Sequence, residues 1–521
     1  MTTSSNSHPF APWGAAILTG ILMFLGYAGF DQFYLEWIFL LPLLWAIRDV
    51  RPRRAFLLGW VAGIVGHGGG FYWIIQMFQQ FAGAPMAVGV IGLVLLAAAN
   101  GVVLAAWAWG VSLLTRGQER HLVWIAPVLW TAMEKVWPEV FPNYLGASQY
   151  KVPHLTQIAD FAGVLGVSFL VVYINATLYR LLACRLEGKG MPWRAAAALG
   201  VTLALVVAYG EFRIREVDRK VAGAKQLTVG LVQTNRGAAD LHLSPEAIQQ
   251  EHRDMSKALL AAKKADLVVW PEGVLSLGLS SREGTIPTWA LGDLKVPLLF
   301  GACLQLNEEG ETRFYNSALL ADASGKILGT YDKTVLVPFG EYIPFGDVFP
   351  ILYSWSPYSS KFFSGKSVEP LKLGPHLLSV SICYEDIFPT HIRKLMRGGR
   401  EGRTPAVMFN LTNDSWYGNS TEPMEHLALA SFRSIENRRS LVRVTNTGIS
   451  AFVDPAGRIT SRTGVWTREV LVDRVPLLEG KTVYGAVGDW IGWLCAVIAL
   501  GATVFVTVSN RRGLTGNQDA L

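Results

Sequence analysis

Glu272, Lys333 and Cys383 are a carboxylate, an ammonium and a thiol, and each stands where an apolar run gives way to polar residues: WPEG, GTYDK and SICYED. These three types suffice for nucleophilic acyl chemistry. The thiolate is the attacking form of cysteine, and a carboxylate can take its proton. An ammonium can stabilise first the thiolate and then the oxyanion of a tetrahedral intermediate. Each residue alone has a plainer explanation. Unpaired cysteine is among the most buried residue types, a glutamate can cap a loop, and a lysine is usually a solvated surface charge. The three together, each ending an apolar run, form a stronger signal than any one. They are far apart in sequence, so only a folded sheet can unite them.

The elements that must position them are legible from residue 226 onward. LLSVSI (377–382) predicts a buried strand delivering Cys383. LTVGLVQTN (227–235), DLVVWPEG (266–273), VPLLFGACLQ (296–305) and PAVMFNLTNDSWYG (405–418) predict further strands. YNSALLADASGKILGTYDK (315–333) reads as a strand pair turning at Ala323-Ser324-Gly325. LVRVTNTGISAFVDPAGRI (441–459) reads as a hairpin. Residues 244–265 predict a helix with Ser244 as N-cap, and 422–440 a second helix. No GxGxxG is present, and the GKS at 365–367 and the GKT at 480–482 lack the glycine five residues earlier that a phosphate-binding loop needs, so nucleotide binding has no support.

The remainder is far more apolar. The 521 residues are 51% hydrophobic with 18 Trp and 17% charged, which points to a membrane protein. Apolar spans fall at about 12–30, 33–47, 55–75, 84–114, 122–137, 161–179, 195–211 and 490–509, giving about eight transmembrane helices. The expected division is 1–212 with seven helices, 213–486 as an α/β catalytic domain, and 487–521 with the last helix and a tail. Arginines and lysines follow every even span (Arg48, Arg51, Arg53 and Arg54; Arg116 and Arg120; Arg180, Arg185, Lys189 and Arg194; Arg511 and Arg512). The positive-inside rule then puts both termini in the cytoplasm and the α/β domain across the membrane. Residues 1–11 carry no Lys or Arg and no cleavage site follows, so the first span reads as a retained anchor. The basic excess, 46 against 40, forms no stripe with interleaved aromatics, so no nucleic-acid partner is expected.

Two features inside this frame stay open. His67, beside Gly68-Gly69-Gly70 at membrane depth, can line a lipid access route or simply pack where small residues let helices approach. Cys303 and Cys383 can form a disulfide, whereas Cys184 and Cys495 in or beside apolar spans read as packing residues. His376, His391 and His426 are not at ligand spacing with one another, so no metal and no other cofactor is expected.

WPEG, YDK and ICYED, with NDSWYG (413–418), resemble the nitrilase superfamily, whose fold is an α-β-β-α sandwich. VPFGEYIPF (337–345) and the seven-plus-one arrangement of spans resemble more narrowly its membrane-embedded branch, the bacterial apolipoprotein N-acyltransferases. That resemblance implies an inner-membrane enzyme with a periplasmic catalytic domain, working by ping-pong acyl transfer. A phospholipid would donate an acyl chain to Cys383 as a thioester. The α-amine of S-diacylglyceryl-cysteine on an apolipoprotein would then accept it. The resemblance makes Glu272 the general base and Lys333 the oxyanion contact. It makes Glu341 and Glu385 supporting carboxylates, and it sets Tyr384, Trp416 and Tyr417 near the site. A monomer suffices.

Trp355, Tyr358, Phe362 and Phe363 are candidates for a mobile apolar lid or, equally, for buried loop anchors. Two other functions compete with acyl transfer. A membrane-tethered amidase or nitrilase would use the same three residues on a soluble amide. A transporter or scaffold would need charges within the spans and repeated halves, and few charges and no repeat are present.

Overall fold

Short runs rich in Val, Leu and Ile, separated by Gly, Pro and Asp turns, build two sheets in the second half of the chain. A computed structural model describes residues 9–116, 118–236, 244–349, 351, 353, 361–398 and 402–515. Six strands precede Lys333: β1 (Gln226–Gln233), β2 (Leu267–Val269), β3 (Leu275–Leu279), β4 (Leu298–Glu308), β5 (Glu311–Ala321) and β6 (Ile327–Asp332). Then come β7 (Leu371–Leu373), β8 (His376–Ile382), β9 (Val407–Thr412), β10 (Leu441–Thr445), β11 (Ala451–Val453), β12 (Ile459–Arg462) and β13 (Glu469–Pro476). The first sheet has the order β13-β1-β2-β4-β5-β6 with β3 beside β4; the second has the order β12-β11-β10-β9-β8-β7.

Parallel pairing aligns the ends that matter. β1, β2 and β4 run parallel, with Val229 opposite Leu267 and Val268 opposite Leu298, and β2 leads into Glu272. β8, β9 and β10 are likewise parallel, and β8 leads into Cys383. β6 is antiparallel to β5 and leads into Lys333. The sheets are tied together by Gln233 of β1. Its Oε1 accepts from Ser450 Oγ at 2.6 Å, Thr463 Oγ1 at 3.0 Å and Thr445 Oγ1 at 3.2 Å, which satisfies an amide with no exposed surface. Helix Pro245–Ala262 packs on the first sheet. It is capped as expected, with Ser244 Oγ accepting from Ala247 N, and its Ser256 accepts from the buried Trp270 indole at 2.9 Å. Helices Pro389–Arg397 and Glu422–Asn437 pack on the second sheet. β3, β7, β13 and helix Pro389–Arg397 have no counterpart in the sequence expectations. β7 has three residues and β3 five, runs too short to show a period.

The chain divides into two units. One comprises residues up to Tyr72, Val90–Glu211 and Asp489 onward; the other comprises Trp73–Gly89 and Phe212–Gly488. The segment Trp73–Gly89 thus belongs with the sheets, although the sequence places it among the apolar spans. Among the described residues four helices are long and apolar enough to cross a bilayer: Met86–Leu114, Ala159–Leu186, Trp193–Gly223 and Trp490–Ser509. A fifth candidate is the pair Pro52–Gly70 and Ile74–Gln80, bent by 51°.

The other expected spans are short or broken. Residues 33–47 form a 3₁₀ turn, Phe33–Trp37, and a helix, Leu41–Ile47, while Ala11–Gly26 and Leu122–Val136 have 16 and 15 residues. Such helices extend about 23 Å against a hydrocarbon layer of about 30 Å. An apolar run measures the transfer cost of a stretch, and helical continuity is a separate property that Pro and Gly interrupt. Ala159–Leu186 is itself kinked at Gly163, whose φ is 68°. The glycines beside His67 serve packing. A Cβ on Gly69 or Gly70 would fall 2.3 Å from the ring of Phe24 or Tyr27, so helices Pro52–Gly70 and Ala11–Gly26 meet through them. His67 is buried, with Nδ1 2.9 Å from the Gly63 carbonyl and its ring stacked on Phe71.

Candidate active site

Cys383 is held in a tight turn. β8 ends at Ile382, and Cys383 opens a 3₁₀ turn, Cys383–Ile387, with a φ of +49°. That left-handed conformation is costly for a residue with a side chain and persists only where its surroundings enforce it. Two groups enforce it here. Asn410 Nδ2 donates to the Cys383 carbonyl at 3.0 Å. The Glu385 carboxylate accepts from Ile382 N at 2.8 Å, and also from Thr334 N at 2.7 Å, Val335 N at 2.9 Å and the Tyr331 hydroxyl at 2.8 Å. Glu385 therefore staples the cysteine turn to the segment that follows Lys333.

Glu272, Lys333 and Cys383 line one cavity of about 240 Å³, together with Glu341, Asn316, Cys303, Phe362, Trp416 and Tyr417. Lys333 is buried between two carboxylates, with Nζ 2.9 Å from Glu341 Oε1 and 3.7 Å from Glu272 Oε1. Asn316 of β5 bridges the same pair, its Nδ2 lying 2.6 Å from Glu272 Oε1 and 2.8 Å from Glu341 Oε1. Val337 N donates to the other Glu341 oxygen at 2.9 Å. A Cβ on Gly301 would sit 2.5 Å from Glu272 Cα and 2.6 Å from both Gly273 N and Pro271 O. Gly301→Ala must therefore displace backbone that cannot yield easily. The expected result is a fall in kcat/KM on the order of a hundredfold, the cost of a misplacement near 1 Å. Steady-state kinetics on the folded variant check this.

The charge state follows from burial. Burial pushes the Cys383 thiol well above its usual range and Glu272 pushes it further, while Lys333 pulls the other way. A sulfur held as the thiol would need a base for any attack on a carbonyl. Burial also raises the Glu272 carboxyl, Lys333 lowers it and Glu341 raises it. Burial opposes the charge on Lys333, yet Glu341 and Glu272 outweigh it and hold the ammonium protonated.

Beneath the turn lies a second charged group. Arg443 of β10, fully buried, reaches Asp386 Oδ2 at 3.0 Å, Asp414 Oδ2 at 3.0 Å and Asn410 Oδ1 at 2.9 Å. His426 Nε2 lies 2.7 Å from Asp386 Oδ1. Burial and Arg443 push the His426 pKa down, but Asp386 and Asp414 win and raise it to about 10. Its contribution to stability is therefore complete below about pH 6.5 and is lost as pH rises through about 10. Asp414, Glu422 and His426 present ligand atoms within 4.8 Å of one another, a grouping that histidine spacing in the sequence does not reveal. Arg443 pairs with Asp414 of this group at 3.0 Å.

The structure separates the sequence candidates into two sets. Glu341, Trp416 and Tyr417 face the cavity with the three reactive groups. Glu385 is buried behind the turn, and Tyr384 packs edge-on against Phe388 at 4.8 Å; neither lines the cavity. Phe362 faces the cavity, but Phe363 joins the core of the first sheet beside Tyr315, so the two do not act as one lid. Trp355 and Tyr358 lie outside the described residues. All four cysteines are free, which removes the Cys303–Cys383 disulfide. Asn316 and Met77 are cavity residues without a sequence signal, and Cys303, weighed in the sequence only as a disulfide partner, lines the cavity as well. Met77 comes from helix Ile74–Ala82, and Trp73, just before it, packs edge-on against Tyr417 at 5.1 Å.

Residues 19–177 match the family described as the apolipoprotein N-acyltransferase N-terminal domain, and residues 228–481 match carbon–nitrogen hydrolase. The chain is 31% identical over 513 residues to an apolipoprotein N-acyltransferase of Geobacter metallireducens, covering 95% of each chain. The chain belongs to the apolipoprotein N-acyltransferase family. Similar proteins of that family occur in Azotobacter vinelandii (31% identity, 93% of this chain and 92% of that one) and Caulobacter vibrioides (31%, 95% and 91%). The α/β region is also similar to Nit3 of Saccharomyces cerevisiae, a member of branch 10 of the nitrilase superfamily, at 17% identity and a TM-score of 0.37. That likeness covers 48% of this chain and 90% of that one. The activity is that of an apolipoprotein N-acyltransferase, carried by an α/β domain of the nitrilase superfamily and a region of apolar helices.

Proposed function

We propose that Cys383, Glu272 and Lys333 carry out the transfer in two half-reactions, with a phospholipid as donor and the α-amine of S-diacylglyceryl-cysteine on a lipoprotein as acceptor. In the first, Cys383 Sγ attacks the ester carbonyl as its proton passes to Glu272, and Lys333 stabilises the oxyanion. Collapse breaks the ester C–O bond. The departing lysophospholipid oxygen takes the proton back from Glu272, leaving a thioester. In the second, the amine attacks the thioester carbonyl and yields a proton to Glu272. The C–S bond then breaks, and the proton returns to sulfur. Glu341 and Asn316 hold Lys333 and Glu272 in place throughout.

The observation that supports this best is the shared cavity, in which one buried ammonium faces two carboxylates and a thiol. One copy of the chain supplies the whole set, so the enzyme acts as a monomer. The charge placed after every even span supports eight crossings in a bacterial inner membrane, with both termini cytoplasmic and the catalytic domain periplasmic.

Hydrolysis is the chemical alternative, because water competes with the amine for the thioester. Protein supplied with phospholipid and a diacylated lipopeptide should yield lysophospholipid and N-acylated peptide in equal amounts, as read by mass spectrometry. Free fatty acid in place of the amide would make the protein a hydrolase and overturn the proposal.

A further inference from the structure

The helical unit contains a larger cavity, about 440 Å³, lined by residues 44–50, 111–122 and 179–190 in part. Its inner wall is apolar, with Leu44, Ile47, Val111 and Leu122, and its rim is charged. Four cations, Arg48, Arg116, Arg180 and Lys189, face it against two carboxylates, Asp49 and Glu119. Arg48 is consumed by ion pairs to Glu119, Asp49 and Glu187, and Lys189 by one to Glu187. Arg116 is exposed and has no ion-pair partner among the described residues. Arg180 donates Nη1 to the Glu119 carbonyl at 3.0 Å, while its Nε and the neighbouring Tyr179 hydroxyl are buried without hydrogen-bond partners.

Arg180 also lines a second cavity, about 560 Å³, with Arg120, Arg194, Trp124 and Trp193 and with no carboxylate. Trp124 stacks on Tyr173 at 5.2 Å, and both tryptophans expose more than half their surface. Two adjoining cavities therefore combine surplus cationic donors, orphaned polar atoms and an apolar floor, fringed by tryptophans of the kind that sit at headgroup level.

We infer that this end of the helical unit binds an anionic phospholipid, its phosphodiester held by Arg180 with Arg116 and Arg194, and its chains against the apolar wall. A soluble phosphate would use the same cations but gain nothing from Leu44, Ile47 and Leu122. A zwitterionic lipid would bring an ammonium into a surplus of positive charge. This site is separate from the donor site proposed above and does not depend on the acyl-transfer chemistry.

Native mass spectrometry of the full chain in detergent, titrated with phosphatidylglycerol or phosphatidylcholine, tests it. The wild type should retain phosphatidylglycerol at about tenfold lower lipid concentration. Arg116→Gln/Arg194→Gln, both at exposed positions, should reduce that preference several-fold, and adding Arg180→Gln should abolish it. Equal retention of the two lipids, or a preference unchanged in the variants, overturns the site. So does displacement of phosphatidylglycerol by millimolar inorganic phosphate, which would make it a small-anion site. Acyl-adduct formation on Cys383, followed in the same samples, reports separately on the proposed chemistry.

Discussion

Lys333→Met is expected to lower kcat/KM for acyl transfer by about a thousandfold. The ammonium is the cation that Glu272 and Glu341 share, and it lines the same cavity as Cys383, which supports its proposed contact with the oxyanion. Its loss also leaves two buried carboxylates facing each other through Asn316, at a cost of about 3–5 kcal/mol in the α/β unit. The pH dependence separates the two effects. Lys333 lowers the Glu272 pKa, whereas burial and Glu341 raise it. Without the lysine, Glu272 keeps its proton to higher pH. With Glu272 as the proposed base, the acidic limb of the residual pH–rate profile should move upward. A merely structural lysine would reduce the folded fraction and leave that limb where it stands. Lys333→Arg should not restore the rate, since a larger planar guanidinium replaces a compact ammonium at a buried position.

Arg443→Met should unfold the α/β unit at markedly lower temperature, with about 3–5 kcal/mol lost. Three partners depend on this guanidinium at once: Asp386 and Asp414, both buried, and Asn410, which in turn holds the Cys383 carbonyl. Arg443 touches no reacting atom and is a positioning residue. Arg443→Lys should recover part of the stability but little of the rate, because a point charge cannot span three acceptors. Thermal denaturation followed beside kcat distinguishes the two readouts. Equal recovery of both would show that charge alone suffices and that the Asn410 bond is dispensable.

These two residues differ in how far the sequence could reveal them. Lys333 ends an apolar run in YDK, and Glu272 and Cys383 do the same in WPEG and SICYED, so strand periodicity and side-chain chemistry together point to them. Arg443 sits inside LVRVT, where an arginine in a β-branched run reads as an outward charge. Only the parallel register, with Arg443 opposite Asn410 and Ser381 opposite Asn410, turns it inward beneath Cys383. Asn316 is hidden for the same reason: a polar residue in a strand becomes a bridge only when β6 is laid antiparallel beside β5. The resemblance implies a supporting carboxylate, and the turn directs Glu385 backward to hold the backbone of Thr334 and Val335, a support that its sequence position does not reveal.

The helical region is legible in composition and less so in geometry. Apolar stretches mark it, and the long helices Met86–Leu114 and Trp490–Ser509 follow them closely. The stretch at 33–47 does not become one helix, because Pro42 and the 3₁₀ turn before it interrupt the hydrogen-bond ladder. Trp73–Gly89 leaves the apolar region for the α/β unit, where Trp73 packs on Tyr417 and a Cβ on Gly418 would strike Gln76 at 2.0 Å. A hydropathic run carries no information about which neighbour it will choose.

The most direct measurement is intact-protein mass spectrometry of the full chain after incubation with phospholipid alone. The expected spectrum contains a single fatty-acyl adduct that maps to Cys383, is absent from Cys383→Ser, and disappears within one turnover when a diacylated lipopeptide is added. An adduct on any other residue, or wild-type turnover by Cys383→Ser, would contradict the thioester route.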